Sequence, residues 1–269
     1  MKVEVSIIMG IYNCENTLAE AIDSIINQTY KDWELIMYDD GSYDNTYQIA
    51  LDYANQYDNI FVYKNEKNLG LNKTLNNCLK HVKGKYIARM DGDDISLPTR
   101  LEKEIHFLNS HSQYSIVSTP MVYFDENGDF AKGAMKSKPT INDVMKGTPF
   151  CHAPCMVKKE AYDKVGGYSE DKRTLRVEDY DLWVRMLSLG YKGYNLMEPL
   201  YKMRDDRNAY SRRKFKYRLN ESYVKLKAFR LLKPSPYTLI YVLRPIIVGL
   251  LPMNIYNKLH NYNVNRRRK

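Results

Sequence analysis

Four short apolar segments alternate with three amphipathic segments over the first ninety residues, and this alternation restricts the folds that the chain can adopt. The apolar segments predict strands at 3–10, 34–38, 60–63 and 86–90. The segments between them carry apolar residues at helical spacing, as Leu18, Ile22 and Ile25 do in the first. Strands and helices that alternate in this way build a parallel sheet in a doubly wound α/β fold. The 44% apolar content of the 269 residues can fill such a core.

Polar side chains follow three of the predicted strands at the point where each strand ends. Tyr12 and Asn13 follow the first strand, Asp39 and Asp40 the second, and Asp91–Asp94 the fourth. The carboxyl ends of parallel strands lie at one edge of the sheet, which is where open α/β sheets bind ligands. We therefore expect these side chains to converge on one site.

The stretch Asp91-Gly92-Asp93-Asp94 places three carboxylates around one glycine. Carboxylates this close repel one another unless a positive charge lies between them, and a divalent cation shared with substrate phosphates would supply that charge. The alternative is a solvated acidic turn. No GxGxxG and no GxxxxGK[ST] follows any predicted strand, which disfavours a dinucleotide-dependent oxidoreductase or a P-loop enzyme.

The second half of the body has weaker patterns. They predict a helix from Pro98 to about Asn109, strands at 116–119 and 121–124, a hairpin turn at 126–128 and a helix at 141–146. A last helix is predicted from Glu178 to Leu189, with Asp179 in its first turn and Trp183 on the same face. In the first half, Thr17 and Glu20 have the spacing of a capping box at the start of a helix.

Positive charge is concentrated in the C-terminal part of the chain. Residues 200–269 hold 18 Lys and Arg against 3 Asp and Glu, a balance of +15, whereas residues 1–199 hold 23 bases and 29 acids, a balance of −6. The tail also repeats apolar residues at helical spacing, and its apolar stretch 237–251 is shorter than the ~20 residues that a spanning helix needs. We expect 208–269 to be a basic amphipathic helical tail on an anionic membrane surface. The alternative is a helical subdomain that covers the sheet.

The four cysteines are too few for the disulfide framework of a secreted domain. Cys151 and Cys155 flank His152, but the pair has no second ligand pair downstream, so buried or neutral thiols are favoured over a zinc site. No stretch has the features of a signal peptide. These features predict a cytoplasmic protein.

Six segments resemble the motifs of the family 2 glycosyltransferases of the GT-A fold, in the family's order and spacing. They cover Val3 to Arg204 and read VSIIMGIYN, QTYKDWELIMYDDGSYDNT, NLGLNKTLN, GKYIARMDGDDISLPTRLEKEI, VGGYSED and VEDYDLW. The resemblance implies a GT-A domain over 1–207, with a nucleotide-sugar-binding half at 1–97 and an acceptor-binding half at 98–207. The tail 208–269 lies outside it.

The resemblance also implies roles for individual residues. The donor would be a nucleotide sugar, usually a UDP-sugar, with its base near Gly10 and Tyr12 and in contact with the Asp40 carboxylate, beside Asp39. Asp91 and Asp93 match the DxD motif, in which Asp91 faces the ribose and phosphates and Asp93 binds Mg2+ or Mn2+.

The resemblance implies further roles for residues of the second half and for residues that match the family motifs less closely. Asp179 matches the catalytic base of the inverting members of the family, and Lys73 is a candidate contact to the base or phosphates. A last group has supporting or acceptor-contacting roles, namely Asp94, His152, Glu178, Trp183 and Arg204.

These roles imply an inverting transferase that moves a sugar to a lipid-linked or cell-surface glycan at the inner face of the cell membrane. The QxxRW motif of processive synthases is absent, which disfavours a polymer synthase. One alternative is a sugar nucleotidyltransferase, although its glycine- and lysine-rich loop after the first strand is missing. Another is a non-enzymatic module that binds membrane or nucleic acid through the basic tail; we expect no nucleic-acid partner.

Overall fold

The predicted alternation is present in the computed structural model of the protein, which describes residues 3–205 and 214–250. The elements of the first half are β1 (Val5–Ile11), α1 (Leu18–Ile26), β2 (Trp33–Asp39), α2 (Thr46–Gln56), β3 (Ile60–Lys64), α3 (Leu71–Leu79) and β4 (Tyr86–Arg89). The four strands pair in parallel in the order β3-β2-β1-β4. The prediction of a mostly parallel sheet flanked by helices is therefore confirmed.

The second half extends this sheet and adds a smaller one. Its elements are β5 (Ile95–Ser96), α4 (Arg100–Ser110), β6 (Ile116–Ser118), β7 (Met121–Asp125), β8 (Gly128–Lys132), α5 (Ile141–Lys146), β9 (Met156–Lys158), α6 (Lys159–Val165), α7 (Glu178–Ser188), β10 (Gly193–Asn195) and β11 (Tyr201–Arg204). The large sheet has the order β10-β6-β9-β4-β1-β2-β3, and β9 is antiparallel to both of its neighbours. The small sheet has the order β5-β11-β7-β8 and begins directly after the acidic stretch that follows β4.

The central strand β1 is buried on both faces, which is why it is a nearly continuous apolar run. Its residues Val5, Ile7 and Met9 pack with α1 and α4 on one side of the sheet. Ile8 packs on the other side in a cluster that includes Leu75 of α3 and Leu182 of α7. The β-strand period of two thus divides one strand between two core layers.

The predicted capping box at α1 is wrong. Thr17 is the N-cap, but its side chain makes no capping hydrogen bond to α1. The Thr17 hydroxyl donates to the carbonyl of Gly92 at 3.0 Å instead, and Glu20 pairs with Arg204. Both side chains that were expected to close the helix end therefore hold the acidic stretch after β4.

The described part of the tail consists of α8 (Phe215–Leu232), a 3-10 turn (Pro236–Leu239) and α9 (Ile240–Leu250). Helix α8 packs on α7 through an apolar cluster that includes Val184, Val224 and Ala228. Residues 208–213 and 251–269 of the predicted tail lie outside the described residues. Within 3–205 and 214–250, no helix combines the length and the apolar character that crossing a bilayer requires.

Two lysines of α8 bind this helix to the second half of the chain. The amine of Lys225, a buried residue, donates to the carbonyls of Met145 at 3.0 Å and Lys146 at 3.2 Å, at the C-terminal end of α5. The amine of Lys227 lies 2.6 Å from the carboxylate of Asp181, which is fully buried in α7 and also pairs with Arg185. Over its described length, α8 therefore packs on helices α5 and α7 of the second half.

We expect Lys227→Met to lower the free energy of unfolding by about 1–2 kcal/mol, because it removes one of the two cations that neutralise the buried Asp181. Urea denaturation measures this difference. Lys216→Met, at an exposed position of the same helix, is the matched control and should leave the midpoint unchanged. Equal midpoints for the two variants would contradict the role given to Lys227.

Candidate active site

The acidic stretch after β4 is shaped by a buried arginine and by a glycine. The guanidinium of Arg89, the last residue of β4, lies 2.6 Å from Oδ1 of Asp91. A Cβ on Gly92 would lie 3.0 Å from Sγ of Cys14 and 3.2 Å from Ile11, so only glycine fits there without displacing its neighbours. The backbone N–H of Asp91 donates to the hydroxyl of Tyr201 at 3.2 Å.

Asp93 and Asp94 differ in their surroundings. Asp93 is exposed, and partial desolvation followed by the charge of Asp91 raises the pKa of its carboxyl. Asp94 is buried and accepts a hydrogen bond from the backbone N–H of Arg204 at 2.8 Å. Burial, followed by the charges of Asp91 and Asp93, raises the pKa of Asp94 to about 8. Asp94 thus ties the stretch to β11, while Asp93 remains available to a ligand.

Arg204 supports the same stretch from β11. Its Nε donates to the carbonyl of Asp93 at 3.0 Å, and its terminal nitrogen donates to the carboxylate of Glu20. The guanidinium also lies over the ring of Phe124, 4.5 Å from the centroid. These contacts give Arg204 a positioning function for the Asp93 backbone.

The donor set fits a hard divalent cation that is completed by a ligand. Asp91 and Asp93 offer carboxylate oxygens. Desolvation, followed by the charge of Asp91, raises the pKa of Asp93, and a cation beside it would favour the ionised carboxylate. No group of three or more His, Cys, Asp or Glu in the described part of the chain could hold a metal ion on its own. Mg2+ and Mn2+ suit this arrangement, because such ions bind through one or two carboxylates together with substrate phosphates and water.

Because the described residues contain no group of three His, Cys, Asp or Glu that could hold a metal ion, a zinc site at Cys151, His152 and Cys155 has no support. Cys155 is buried, and its burial raises the pKa of its thiol to about 12, so the thiol is neutral at physiological pH. The prediction of buried or neutral thiols is confirmed for this residue.

The two acids after β2 organise the neighbouring loops. Asp39 is buried and accepts the backbone N–H groups of Gly41 at 3.2 Å and Ser42 at 3.1 Å, so it shapes its own turn. The carboxylate of Asp40 accepts a hydrogen bond from the side-chain amide of Asn65 at 2.9 Å. Its two oxygens also accept hydrogen bonds from the backbone N–H groups of Leu69 at 2.7 Å and Gly70 at 2.9 Å. Asp40 therefore fixes the loop that leads into α3.

A cavity of about 320 Å³ lies between the two halves at the carboxyl ends of β1 and β2. The first half contributes Gly10, Tyr12 and Asp40, and the second half contributes Arg176 and Glu178. A Cβ on Gly10 would meet Leu71 and Thr74 of α3 at 3.2 Å and would narrow the cavity. The cavity thus brings together residues that are up to 168 positions apart in the sequence.

Arg176 is a cavity residue that the sequence analysis did not identify. It has a φ of 66°, a left-handed conformation that costs a residue with a side chain about 1–3 kcal/mol. The only signal in the sequence is a cation two positions before Glu178 in the RVEDYDLW stretch. Its φ angle depends on the packing of the turn, which no local pattern predicts.

Helix α7 brings two further acids to this region. Glu178 lines the cavity, its Oε2 is buried, and that atom has no hydrogen-bond partner among the described residues. Burial, followed by the charge of Asp179, raises the pKa of Glu178, while the charge of Arg89 lowers it. Asp179 is half-buried in the first turn, as predicted, and its charge also acts on Cys151.

Three remaining candidates lie outside the cavity lining, as do the acidic stretch after β4, Asp179 and Arg204. His152 is half-buried, and its Nε2 lies 2.8 Å from the hydroxyl of Tyr168; burial and the charge of Arg89 lower its pKa, so the ring is neutral. Trp183 is fully buried with its ring edge-on to His152, which makes it a core residue beneath that side chain. Lys73 is exposed and outside the cavity lining, with its amine 4.0 Å from Glu170.

This fold, with an acidic loop after β4 and a second acidic pair at the start of α7, is that of the GT-A glycosyltransferases. Two of the solved structures that share the fold contain a bound nucleotide sugar. One is TarS 1–349 of S. aureus in complex with UDP-GlcNAc, with a TM-score of 0.70, 18% identity and coverage of 92% of this chain and 71% of that chain. The other is the mannosyltransferase PcManGT of Pyrobaculum calidifontis in complex with GDP-Man and Mn2+, with a TM-score of 0.64, 15% identity and coverage of 97% and 79%.

The chain belongs to glycosyl transferase family 2, whose sequence model matches residues 6–166. EpsE of Bacillus subtilis is 46% identical over 262 residues, which are 97% of this chain and 94% of that protein. The UDP-Gal:alpha-D-GlcNAc-diphosphoundecaprenol beta-1,3-galactosyltransferase of Escherichia coli is 31% identical over 267 residues, which are 94% and 95% of the two chains. The resemblance stated above is confirmed, and the protein is a glycosyltransferase rather than a nucleotidyltransferase or a non-enzymatic module.

We expect Arg204→Ala to weaken the binding of UDP in the presence of Mn2+ by about tenfold, because the Asp93 backbone loses a charge-assisted hydrogen bond. Titration calorimetry measures the affinity. The matched control is Lys202→Ala, which removes a cation from the same strand that pairs with Asp129 and not with the acidic stretch. The positioning function is wrong if the two variants bind UDP equally well.

Proposed function

We propose that the protein transfers a sugar from a UDP-sugar to a hydroxyl of a lipid-linked glycan, with inversion at the anomeric carbon. The observation that carries this proposal is the convergence of two acidic pairs around Arg89. Its guanidinium pairs with Asp91, and its charge acts on both Asp93 and Glu178. Leaving-group stabilisation by the acidic stretch and proton removal by the first turn of α7 are thereby available around one buried cation.

In this proposal the first half binds the donor. The uracil base enters the cavity beside Gly10 and Tyr12, where a side chain at position 10 would meet Leu71 and Thr74 of α3. Asp40 accepts a hydrogen bond from the base while its other contacts hold the loop before α3, and Asp39 keeps the turn behind it. Lys73, which is exposed outside the cavity, attracts the donor phosphates at long range.

The diphosphate lies toward the acidic stretch. Asp93, with Asp91 beside it, would hold Mg2+ or Mn2+, and the ion would offset the negative charge that grows on the departing UDP. Arg89 keeps Asp91 in place, and Arg204 and Asp94 keep the backbone of Asp93 in place. Arg176, which lines the cavity, supplies a second positive charge near the donor.

Asp179 acts as the general base. Its carboxylate takes the proton of the acceptor hydroxyl while the hydroxyl oxygen forms a bond to the anomeric carbon and the bond from that carbon to the diphosphate breaks. A single displacement by the acceptor inverts the carbon. In this proposal the acceptor side includes Glu178 and the neutral His152, whose ring lies edge-on to that of Trp183.

The proposed acceptor and location have support from the relatives. The Escherichia coli galactosyltransferase named above acts, by its name, on a diphosphoundecaprenol-linked sugar. A nucleotide-sugar donor and a lipid-linked acceptor meet at the cytoplasmic face of the cell membrane, so we place the protein there as a peripheral enzyme.

We expect chelation of divalent cations, and separately Asp93→Ala, to lower sugar transfer by about a hundredfold or more, since the charge on the leaving UDP loses its counter-ion. The donor is first identified by thermal shift with a panel of UDP-sugars, and UDP release is then measured with and without Mn2+. Asp129→Ala, at a carboxylate in the small sheet, is the control and should retain activity. Transfer that persists in the chelated enzyme and in the Asp93 variant would refute the metal role.

We expect Asp179→Asn to lower kcat for transfer by about 10²–10⁴-fold while the affinity for the UDP-sugar stays the same, because only proton removal is lost. Glu178→Gln, the neighbouring change of carboxylate to amide, should cost much less. Single-turnover transfer and calorimetric donor binding separate the two effects. If Glu178→Gln has the larger effect on kcat, Glu178 is the base and Asp179 is not.

A further inference from the structure

The described tail carries a continuous apolar surface that no other described part of the chain covers. Along α9, Ile240, Leu243, Ile247 and Leu250 recur at intervals of three or four residues, and each is 56–70% exposed. This spacing places them on one face of the helix, which we call the α9 apolar face. Tyr237, which is 67% exposed in the preceding 3-10 turn, continues it.

The opposite face of α9 is docked on the body of the protein. Val242 and Pro245 are buried there. A Cβ on Gly249 would lie 2.8 Å from the ring of Phe215, so the glycine permits a close crossing of α8 and α9. Since one face of α9 is fixed in this way, the exposure of the other is a property of the folded domain.

Positive charge surrounds the α9 apolar face. Arg244 is exposed and lies one residue from Leu243, at the border of the face. The exposed Lys214 and Lys216 lie at the end of α8 that crosses Gly249, and the exposed Lys233 lies at the end where the 3-10 turn begins. The only acid among residues 214–250 is Glu221, which is half-buried near Lys225.

We propose that the α9 apolar face docks on an anionic lipid surface. An apolar stripe with a tyrosine at its edge and lysines and arginines around it matches the boundary between acyl chains and anionic headgroups. The 11 residues of α9 extend about 16 Å, half of the roughly 30 Å of a bilayer core, so the helix lies in the interface. A second copy of this chain would bring the same cations face to face, which disfavours a symmetric dimer through this surface.

The contact would be transmitted directly to the cavity wall. Asn220 of α8 donates to the carbonyl of Leu175 at 2.9 Å, next to the cavity residue Arg176, and Lys227 holds α7 through Asp181. Docking through α9 would therefore fix the acceptor side of the enzyme relative to the lipid surface. The inference does not depend on the proposed donor or acceptor, because lipid binding is measured without either of them.

The first test is flotation of the full chain with vesicles of phosphatidylcholine, with and without phosphatidylglycerol. We expect binding only with phosphatidylglycerol, weaker binding in Arg244→Glu and at higher salt, and at least about tenfold weaker binding in a variant with Ile240→Asp and Leu243→Asp. The control variant carries Leu189→Asp and Met197→Asp, at positions that are 51% and 60% exposed elsewhere on the surface, and should bind like the wild type. Because all four positions are exposed, both variants should melt at the wild-type temperature.

The second test measures insertion. The two native tryptophans, Trp33 and Trp183, are buried, so a tryptophan placed by Leu243→Trp should account for the quenching by brominated lipid, and one placed by Leu189→Trp should show none. The results of the two tests decide the proposal together. It is overturned if the variant with Ile240→Asp and Leu243→Asp floats like the wild type, or if the fluorescence of the tryptophan placed by Leu243→Trp is not quenched. It is also overturned if sedimentation shows a dimer that this variant abolishes, or if a chain ending at Leu250 loses all vesicle binding, which would assign the contact to residues 251–269. Preferential binding of an oligonucleotide over vesicles would refute it as well.

Discussion

The ion pair between Arg89 and Asp91 is the interaction on which the candidate site depends. Three carboxylates follow β4 within four residues, and the buried guanidinium of Arg89 pairs with the first of them. A second buried arginine, Arg100, donates a hydrogen bond to the carbonyl of Arg89 at 2.9 Å and so fixes the end of β4. These two side chains act together with the contacts of Thr17, Tyr201 and Arg204 to hold the acidic stretch against the sheet.

The protein does not neutralise this stretch completely. Even with Arg89 and Arg204 nearby, burial, followed by the charges of its neighbours, raises the pKa of Asp94 to about 8, and desolvation followed by the charge of Asp91 also raises the pKa of Asp93. A divalent cation between these carboxylates would favour their ionised forms. This effect gives a physical reason for metal and diphosphate to bind together at the end of β4.

The other wall of the cavity depends on the tail. Helix α7 carries Glu178 and Asp179, and its buried Asp181 is shared between Arg185 of the same helix and Lys227 of α8. Asn220 of α8 also fixes the segment that leads to Arg176. The region with the strongest positive charge is thus structural as well as, in our proposal, the surface that meets the lipid.

The sequence alone determined the alternation of strands and helices, the parallel half of the sheet and the acidic residues at its edge. Those features depend on local periodicity and on the handedness of crossover connections, both of which act over short distances along the chain. Tertiary structure decided how individual side chains are used. Thr17 bonds to Gly92 and not to its own helix, Lys225 is buried, and Arg176 has a positive φ. Each of these outcomes is set by packing partners far away in the sequence, because burial and hydrogen-bond geometry exist only once the two halves and α8 have met.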